Sequence, residues 1–173
     1  GDKPVVGSIG IGHTRWATHG EPNDVNSHPH FSNSGDLVLI HNGIIENYDV
    51  LKKELLKRGY TFKSDTDTEV LVNLIEEIKK QENVETAEAL RKALNQVTGA
   101  YAIVLIDEKQ PNTLIAARKS SPLVVGIGEN EYFLASDATP IIEYTKNVVY
   151  LNDEEIVIAT PGEELDLFTI KRE

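Results

Sequence analysis

The chain has 173 residues, 40% of them hydrophobic and 26% charged, with a mean hydropathy of -0.28, a balance suited to one globular domain with a buried core. Its 17 Lys and Arg against 28 Asp and Glu give a net charge of -11, which speaks against binding to nucleic acid or to an anionic membrane surface, since both require many phosphates to be neutralised. Apolar runs such as Ile103–Ile106 fall far short of the roughly 18 residues of a spanning helix; the absence of Cys excludes disulfides, thiolate metal sites and a cysteine nucleophile within these residues, and the absence of Met is expected of a fragment.

All five His fall within the first 41 residues, so polar chemistry is expected near that end. A short strand is read around Ile9-Gly-Ile-Gly-His13, then a Pro-punctuated loop from about Ala17 to Gly35, a length usual for a functional or disordered loop. Asp36 to His41 reads as a buried strand ending in a turn at Asn42-Gly43. From Glu46 to Arg58 the spacing of Tyr48, Leu51, Leu55 and Leu56 predicts a helix, with Gly59 as its left-handed stop. Thr61 to Lys63 reads as a short strand. Thr66 and Glu69 have the spacing of a capping box before a helix whose apolar stripe is Val70, Leu71, Leu74, Ile75 and Ile78. A third helix covers about Thr86 to Gln96, ended by Gly99.

Beyond Gly99 the period becomes that of strands. Ala100–Asp107, Thr113–Arg118, Leu123–Ile127 and Glu131–Ala135 are read as four strands, followed by a short helix near Ala138–Tyr144. Strands at Val148–Leu151, Glu155–Ile158 and Leu165–Phe168 complete the chain, and Gly162 to Leu165 is an exposed turn. Hairpin-length links between consecutive strands imply antiparallel pairing, hence an α+β fold rather than a doubly wound nucleotide fold.

Three clusters carry candidate chemistry. In His13-Thr-Arg-Trp-Ala-Thr-His-Gly20, Arg15 can grip a carboxylate bidentately beside hydroxyl and backbone groups that orient it; its alternative is an ion pair with a surface acid, Trp16 then packing in the core. At Asn42-Gly43 a side-chain amide and a backbone N–H can converge on one developing oxyanion, or the pair can be a plain turn. In Ser64-Asp-Thr-Asp-Thr-Glu69 either Asp65 or Asp67 can cap the helix, or one of them can accept from a ligand ammonium. Arg15 for a carboxylate, Asp67 for an ammonium and Asn42 with Gly43 for an amide oxygen together describe a site for glutamine. His28 and His30, with His13, His19 or His41, could form a three-histidine zinc site, but helical ligand spacing is missing and hydrogen-bonded structural histidines are preferred; no metal and no cofactor is expected.

The runs His13-Thr-Arg-Trp-Ala-Thr-His-Gly-Glu-Pro22, Val25-Asn-Ser-His-Pro-His30, His41-Asn-Gly-Ile-Ile-Glu-Asn47 and Ser64-Asp-Thr-Asp-Thr-Glu-Val70 closely resemble the glutaminase domains of the class II glutamine amidotransferases that serve as isomerising glutamine–fructose-6-phosphate aminotransferases. The likeness continues through Gly99-Ala-Tyr101, Ala116-Ala-Arg118, Ser121-Pro-Leu123 and Ala135-Ser-Asp137, and so covers essentially the whole chain. It implies the N-terminal-nucleophile hydrolase fold, a four-layer αββα sandwich with antiparallel sheets, here N-terminally truncated. It implies Arg15 as ligand of the glutamine α-carboxylate and Asp67 as acceptor from the α-ammonium. Trp16, Thr18 and His19 fall in the loop that closes over glutamine, Trp16 resembling the residue that gates ammonia transfer, and Asn42 and Gly43 resemble the oxyanion hole.

The family's nucleophile is an N-terminal Cys, for which this chain, starting at Gly1, has no counterpart. Residues 1–173 are therefore expected to be part of a glutaminase domain, inactive alone, from a cytoplasmic parent whose sugar-isomerase domains, absent here, bind fructose 6-phosphate and receive ammonia to give glucosamine 6-phosphate. Glutamine and glutamate are the expected ligands, and a homodimer the expected assembly, with no nucleic acid and no membrane. The competing expectations are a histidine-rich metal-binding module and an amidotransferase with another ammonia acceptor.

Overall fold

Apolar residues alternate along the extended segments and recur at three and four along the helical ones, and each pattern sets one layer of the molecule. The computed structural model describes residues 9–11, 29–128, 131–135, 147–160 and 162–171. Their elements are β1 (Ile9–Ile11), β2 (His30–Phe31), β3 (Leu37–Ile45), α1 (Tyr48–Lys57), α2 (Asp67–Glu82), α3 (Thr86–Leu94), β4 (Gly99–Asp107), β5 (Leu114–Lys119), β6 (Val124–Gly128), β7 (Glu131–Ala135), β8 (Val148–Tyr150), β9 (Glu155–Ala159) and β10 (Asp166–Thr169).

Two sheets form, one ordered β1-β7-β6-β8 and the other β10-β9-β5-β4-β3-β2. Alternation sends the central strands of the larger sheet into two cores. Tyr101, Ile103 and Leu105 of β4, with Ile115, Ala117 and Ile156, join the side chains of α1, α2 and α3. The intervening Ala102, Val104, Leu114, Ala116, Val157 and Ala159 meet Leu123, Val125 and Leu151 from the second sheet's side. The described layers are thus helices, six-stranded sheet, four-stranded sheet, an α+β sandwich as expected. The fourth, helical layer that the sequence leads one to expect, and the helix expected at Ala138–Tyr144, fall on residues outside those described.

Several local expectations are corrected. Asn42-Gly43 is not a turn, because β3 runs through it to Ile45, pairing residue by residue with β4 from Leu37↔Asp107 to Ile45↔Gly99. Gly99 does not end α3; Asn95 caps that helix, its side-chain amide donating to the Arg91 carbonyl at 2.8 Å, and Gly99 opens β4. Both glycines serve the approach of β3 to β4: a Cβ on Gly43 (φ +126°) would stand 2.2 Å from the Ala100 carbonyl oxygen, and one on Gly99 (φ +146°) 2.0 Å from that of Ile44. Thr61–Lys63 is not a strand, since its groups bond to side chains instead of a ladder: Asn33 accepts from the Thr61 N–H at 2.9 Å and Glu69 from the Lys63 N–H at 2.9 Å. Leu56 is half exposed because helical spacing puts Leu51 and Leu55 on the buried face and turns residue 56 away from it.

One strand pair departs from the expected antiparallel rule. β1 pairs with β7 in parallel, Ile9 opposite Tyr132. These strands lie more than a hundred residues apart in sequence, so no hairpin constrains their direction. β5 and β6, despite a link of hairpin length, belong to different sheets; Ser120 at that crossing takes φ +63° and its N–H donates to Asp153 at 2.6 Å.

Candidate functional site

The first turn of α2 meets the end of β3, and capping chemistry fixes how. Thr66 is the N-cap, with extended backbone and a side-chain oxygen that accepts from the Glu69 N–H at 3.3 Å. The capping box is only half realised: Glu69 reaches past Thr66 to accept from the N–H groups of Lys63 and Ser64 and from the Ser64 hydroxyl at 2.7 Å. His30 Nε2 lies 3.2 Å from Thr66 Oγ1, tying β2 to the same cap. Neither Asp65 nor Asp67 is the cap, which leaves Asp67 to another use.

Asp67 is fully buried. A buried carboxylate is costly unless it is bonded, and Asp67 Oδ2 accepts from the Ile45 N–H at 2.8 Å while the helix N-terminus favours its charge. His41 Nδ1 stands 3.8 Å from Asp67 Oδ1 and 3.0 Å from Thr68 Oγ1, with His41 and Thr68 also fully buried. The nearby Tyr48 phenol titrates above its ordinary range, first through desolvation and then through the charges of Asp49, Asp67 and Asp65.

The strand geometry of β3 decides where the other expected groups point. His41 shares the helix-facing side with Leu39, whereas Asn42 takes the side of Ile40, toward the second sheet. Asn42 pairs with Ala102, Ala102 with Arg118 and Arg118 with Glu155, so these residues form one row across the sheet. Arg118 is anchored there by donating to the Leu151 carbonyl at 2.9 Å. Asn42 and Gly43 are both partly exposed. Of the expected site residues, Asn42 and Gly43 are carried by β3 and Asp67 by the first turn of α2, with Ile44 alone separating Gly43 from the amide that holds Asp67. Arg15, Trp16, Thr18 and His19 lie outside the described residues, as do His13 and His28. His30 and His41 bond to Thr66 and Thr68 respectively, and among the described residues no three metal-ligating side chains gather.

Asn73 and Glu76, in line with Glu69, escaped sequence reasoning. Glu69, Asn73 and Glu76 form a polar stripe on α2 that holds the segments flanking the junction. Asn73 accepts from the Asn33 N–H at 2.8 Å, and Glu76 accepts from both the N–H and the hydroxyl of Ser34. The available signal was polar residues at i, i+4 and i+7 beside the apolar stripe. Above them opens a cavity of about 370 Å³ lined by His30, Phe31, Asn33, Thr61, Lys63 and Glu69, among others.

Comparison with known proteins adds sequence and fold relatives. A family model described as a glutamine amidotransferase domain matches residues 13–143. The glutamine–fructose-6-phosphate aminotransferase (isomerizing) of Bacteroides thetaiotaomicron is 63% identical over 163 residues, covering 94% of this chain and 26% of that protein. Its counterpart in Thermococcus kodakarensis is 53% identical over 169 residues, 97% of this chain and 27% of the relative. The chain thus spans about a quarter of the length of the curated relatives it matches. Among solved structures, the glutamine phosphoribosylpyrophosphate amidotransferase of B. subtilis complexed with ADP and GMP superposes with a TM-score of 0.66 at 27% identity, over 82% of this chain and 30% of that one. A structure described as the allosteric regulatory enzyme of purine biosynthesis gives 0.72 at 26% identity, over 93% and 35%.

Proposed function

The chain belongs to the glutamine amidotransferase domain family, and from that premise we propose that it is the glutamine-holding part of an isomerising glutamine–fructose-6-phosphate aminotransferase. In this reading Arg15 grips the α-carboxylate of glutamine, and Asp67 accepts from its α-ammonium. Asn42 and Gly43 stabilise the oxyanion that forms on the side-chain amide, and Trp16, Thr18 and His19 belong to the loop that closes over the substrate. The observation that carries it is the 2.8 Å bond from Ile45 to Asp67, which brings a buried carboxylate to the strand that bears Asn42 and Gly43.

The chemistry follows from the charges. A zwitterionic ligand needs an anion and a cation at one end, and Asp67 and Arg15 supply them. Attack on the amide carbonyl builds negative charge on its oxygen, and loss of one donor of the Asn42 type commonly costs about 3 kcal/mol of transition-state stabilisation. The attacking thiol is not among these 173 residues, which contain no Cys. The chain alone therefore binds without turning over, and within the longer protein the ammonia goes to fructose 6-phosphate held by sugar-isomerase domains, giving glucosamine 6-phosphate. A cytoplasmic homodimer fits that role; among the described residues no helix is long and apolar enough to cross a membrane.

Calorimetric titration with L-glutamate tests the site. Binding is expected for the chain and is expected to be lost in Arg15→Ala and in Asp67→Ala. Unchanged binding in both variants would remove the proposed site, and ammonia release from glutamine by the purified chain would refute the claim that it does not turn over.

A further inference from the structure

We propose that the clamp between β3 and the first turn of α2 sets the length of amino-acid side chain the site accepts, which makes His41 and Thr68 specificity-determining positioning residues. The inference rests on the reading above, in which Asp67 takes the ammonium and Asn42 with Gly43 the amide oxygen. A ligand that must reach both ends is measured by the distance between them. Glutamine fits when that distance matches its carbon chain, and asparagine, one methylene shorter, cannot satisfy both at once.

The two ends ride on different elements. Asn42 and Gly43 are carried by β3, whereas Asp67 is carried by α2, so the span is only as well defined as the bonds between strand and helix. Among the bonds that cross that gap, two lie one on each side of Asn42 and Gly43. His41 Nδ1 meets Thr68 Oγ1 at 3.0 Å, and the Ile45 N–H reaches Asp67 Oδ2 at 2.8 Å. His41, Ile45, Asp67 and Thr68 are all fully buried, so water does not compete for either bond. The Ile45 bond fixes one point of the helix turn, and His41, 3.8 Å from Asp67 Oδ1, also faces it. The His41–Thr68 bond supplies a further point on the neighbouring residue and stiffens the turn.

Thr68 and His41 touch neither end of the ligand in this arrangement and act through Asp67. Calorimetric titration of the full chain with L-glutamine and with L-asparagine reads the effect as a ratio of affinities. The unsubstituted chain is expected to prefer glutamine by at least about tenfold, the discrimination one methylene supports. Thr68→Val, which keeps the shape and deletes the hydroxyl, should remove most of that preference, and Thr68→Ser should restore it. His41→Gln should behave like Thr68→Val, and it decides the matter if Thr68→Val does not melt cooperatively. Equal losses for both ligands, or an unchanged ratio in folded variants, would overturn the inference while leaving the site in place. If Asp67→Asn left glutamine affinity intact, or the unsubstituted chain bound no glutamine, the reading of the site itself would fall and the inference with it.

Discussion

Asp107 closes β4 with 3% of its surface exposed, and it joins that strand to two helices. Its carboxylate accepts from Lys79 of α2 at 2.8 Å, from the Thr86 hydroxyl at the start of α3 at 2.5 Å and from the Lys109 N–H at 2.9 Å. Burial by itself would raise its pKa, but the bonds from Lys79, Thr86 and Lys109 outweigh burial and hold the group below its ordinary value. Asp107→Asn preserves volume and removes the charge. Hydrogen bonds to a charged group contribute about 1.5–3 kcal/mol net, and breaking a wholly buried pair costs about 3–5 kcal/mol. Lys79 keeps 30% of its side chain in solvent and Thr86 can reorient toward the new amide, so the expected loss is at the lower end, about 2–3 kcal/mol. A carboxylate whose folded pKa is depressed stabilises fully above its unfolded value near ~4, and that contribution disappears as pH falls through the lower folded value. Urea unfolding of both proteins in parallel isolates this group from the other carboxylates. The difference should be about 2–3 kcal/mol at neutral pH and should shrink as the pH is taken below the ordinary carboxylate range. A difference that stays constant across that range, or one under about 0.5 kcal/mol at neutral pH, the usual surface scatter, would refute the assignment.

Other substitutions probe the scaffold of the site. Gly99→Ala drives a Cβ onto the Ile44 carbonyl oxygen at a positive φ, so thermal unfolding should report a loss of about 3 kcal/mol or more. Gly59→Ala, where φ is +93° but nothing stands within 4 Å, should lose only about 1–2 kcal/mol; equal losses would mean that the close approach of β3 and β4 is not what requires Gly99. Thr66→Ala removes the cap of α2 and the partner of His30, and denaturant unfolding should show a loss of about 1–2 kcal/mol. A neutral result there would mean the cap is replaced by Ser64.

What the sequence reveals divides along physical lines. The helices and most strands follow from period alone, since Leu71, Ile75 and Ile78 or Ile103 and Leu105 occupy positions that only one kind of element can bury together. Thr66 and Glu69 mark the start of α2 correctly because N-cap chemistry is local. Asn42-Gly43 misleads for the opposite reason. As a dipeptide it is a turn signal, but its glycine is demanded by β4, more than fifty residues away, and no local rule carries that information. Glu69 likewise satisfies a short-range pattern on paper while its carboxylate goes to Lys63 and Ser64. Asp67 is singled out from the site's chemistry, but its burial and its bond to Ile45 come from the packing of α2 against β3.

That packing explains why so acidic a helix can lie inside the molecule. Asp67, Glu69, Glu76 and Glu77 of α2 are all buried, and unpaired carboxylates there would oppose folding. Each instead accepts from donors on a neighbouring segment: Ile45 for Asp67, Lys63 and Ser64 for Glu69, Ser34 for Glu76, and Arg58 with Tyr60 for Glu77. The apolar stripe of α2 alone would fix only its distance from the sheet, leaving rotation and sliding comparatively soft. Four directional contacts at different heights along the helix remove both freedoms. The segments they hold are residues 33–34, residues 58–64 and the end of β3. Acids that would ordinarily burden a core are thus the means by which this helix holds the Asp67 carboxylate at a fixed place, as the proposed site requires.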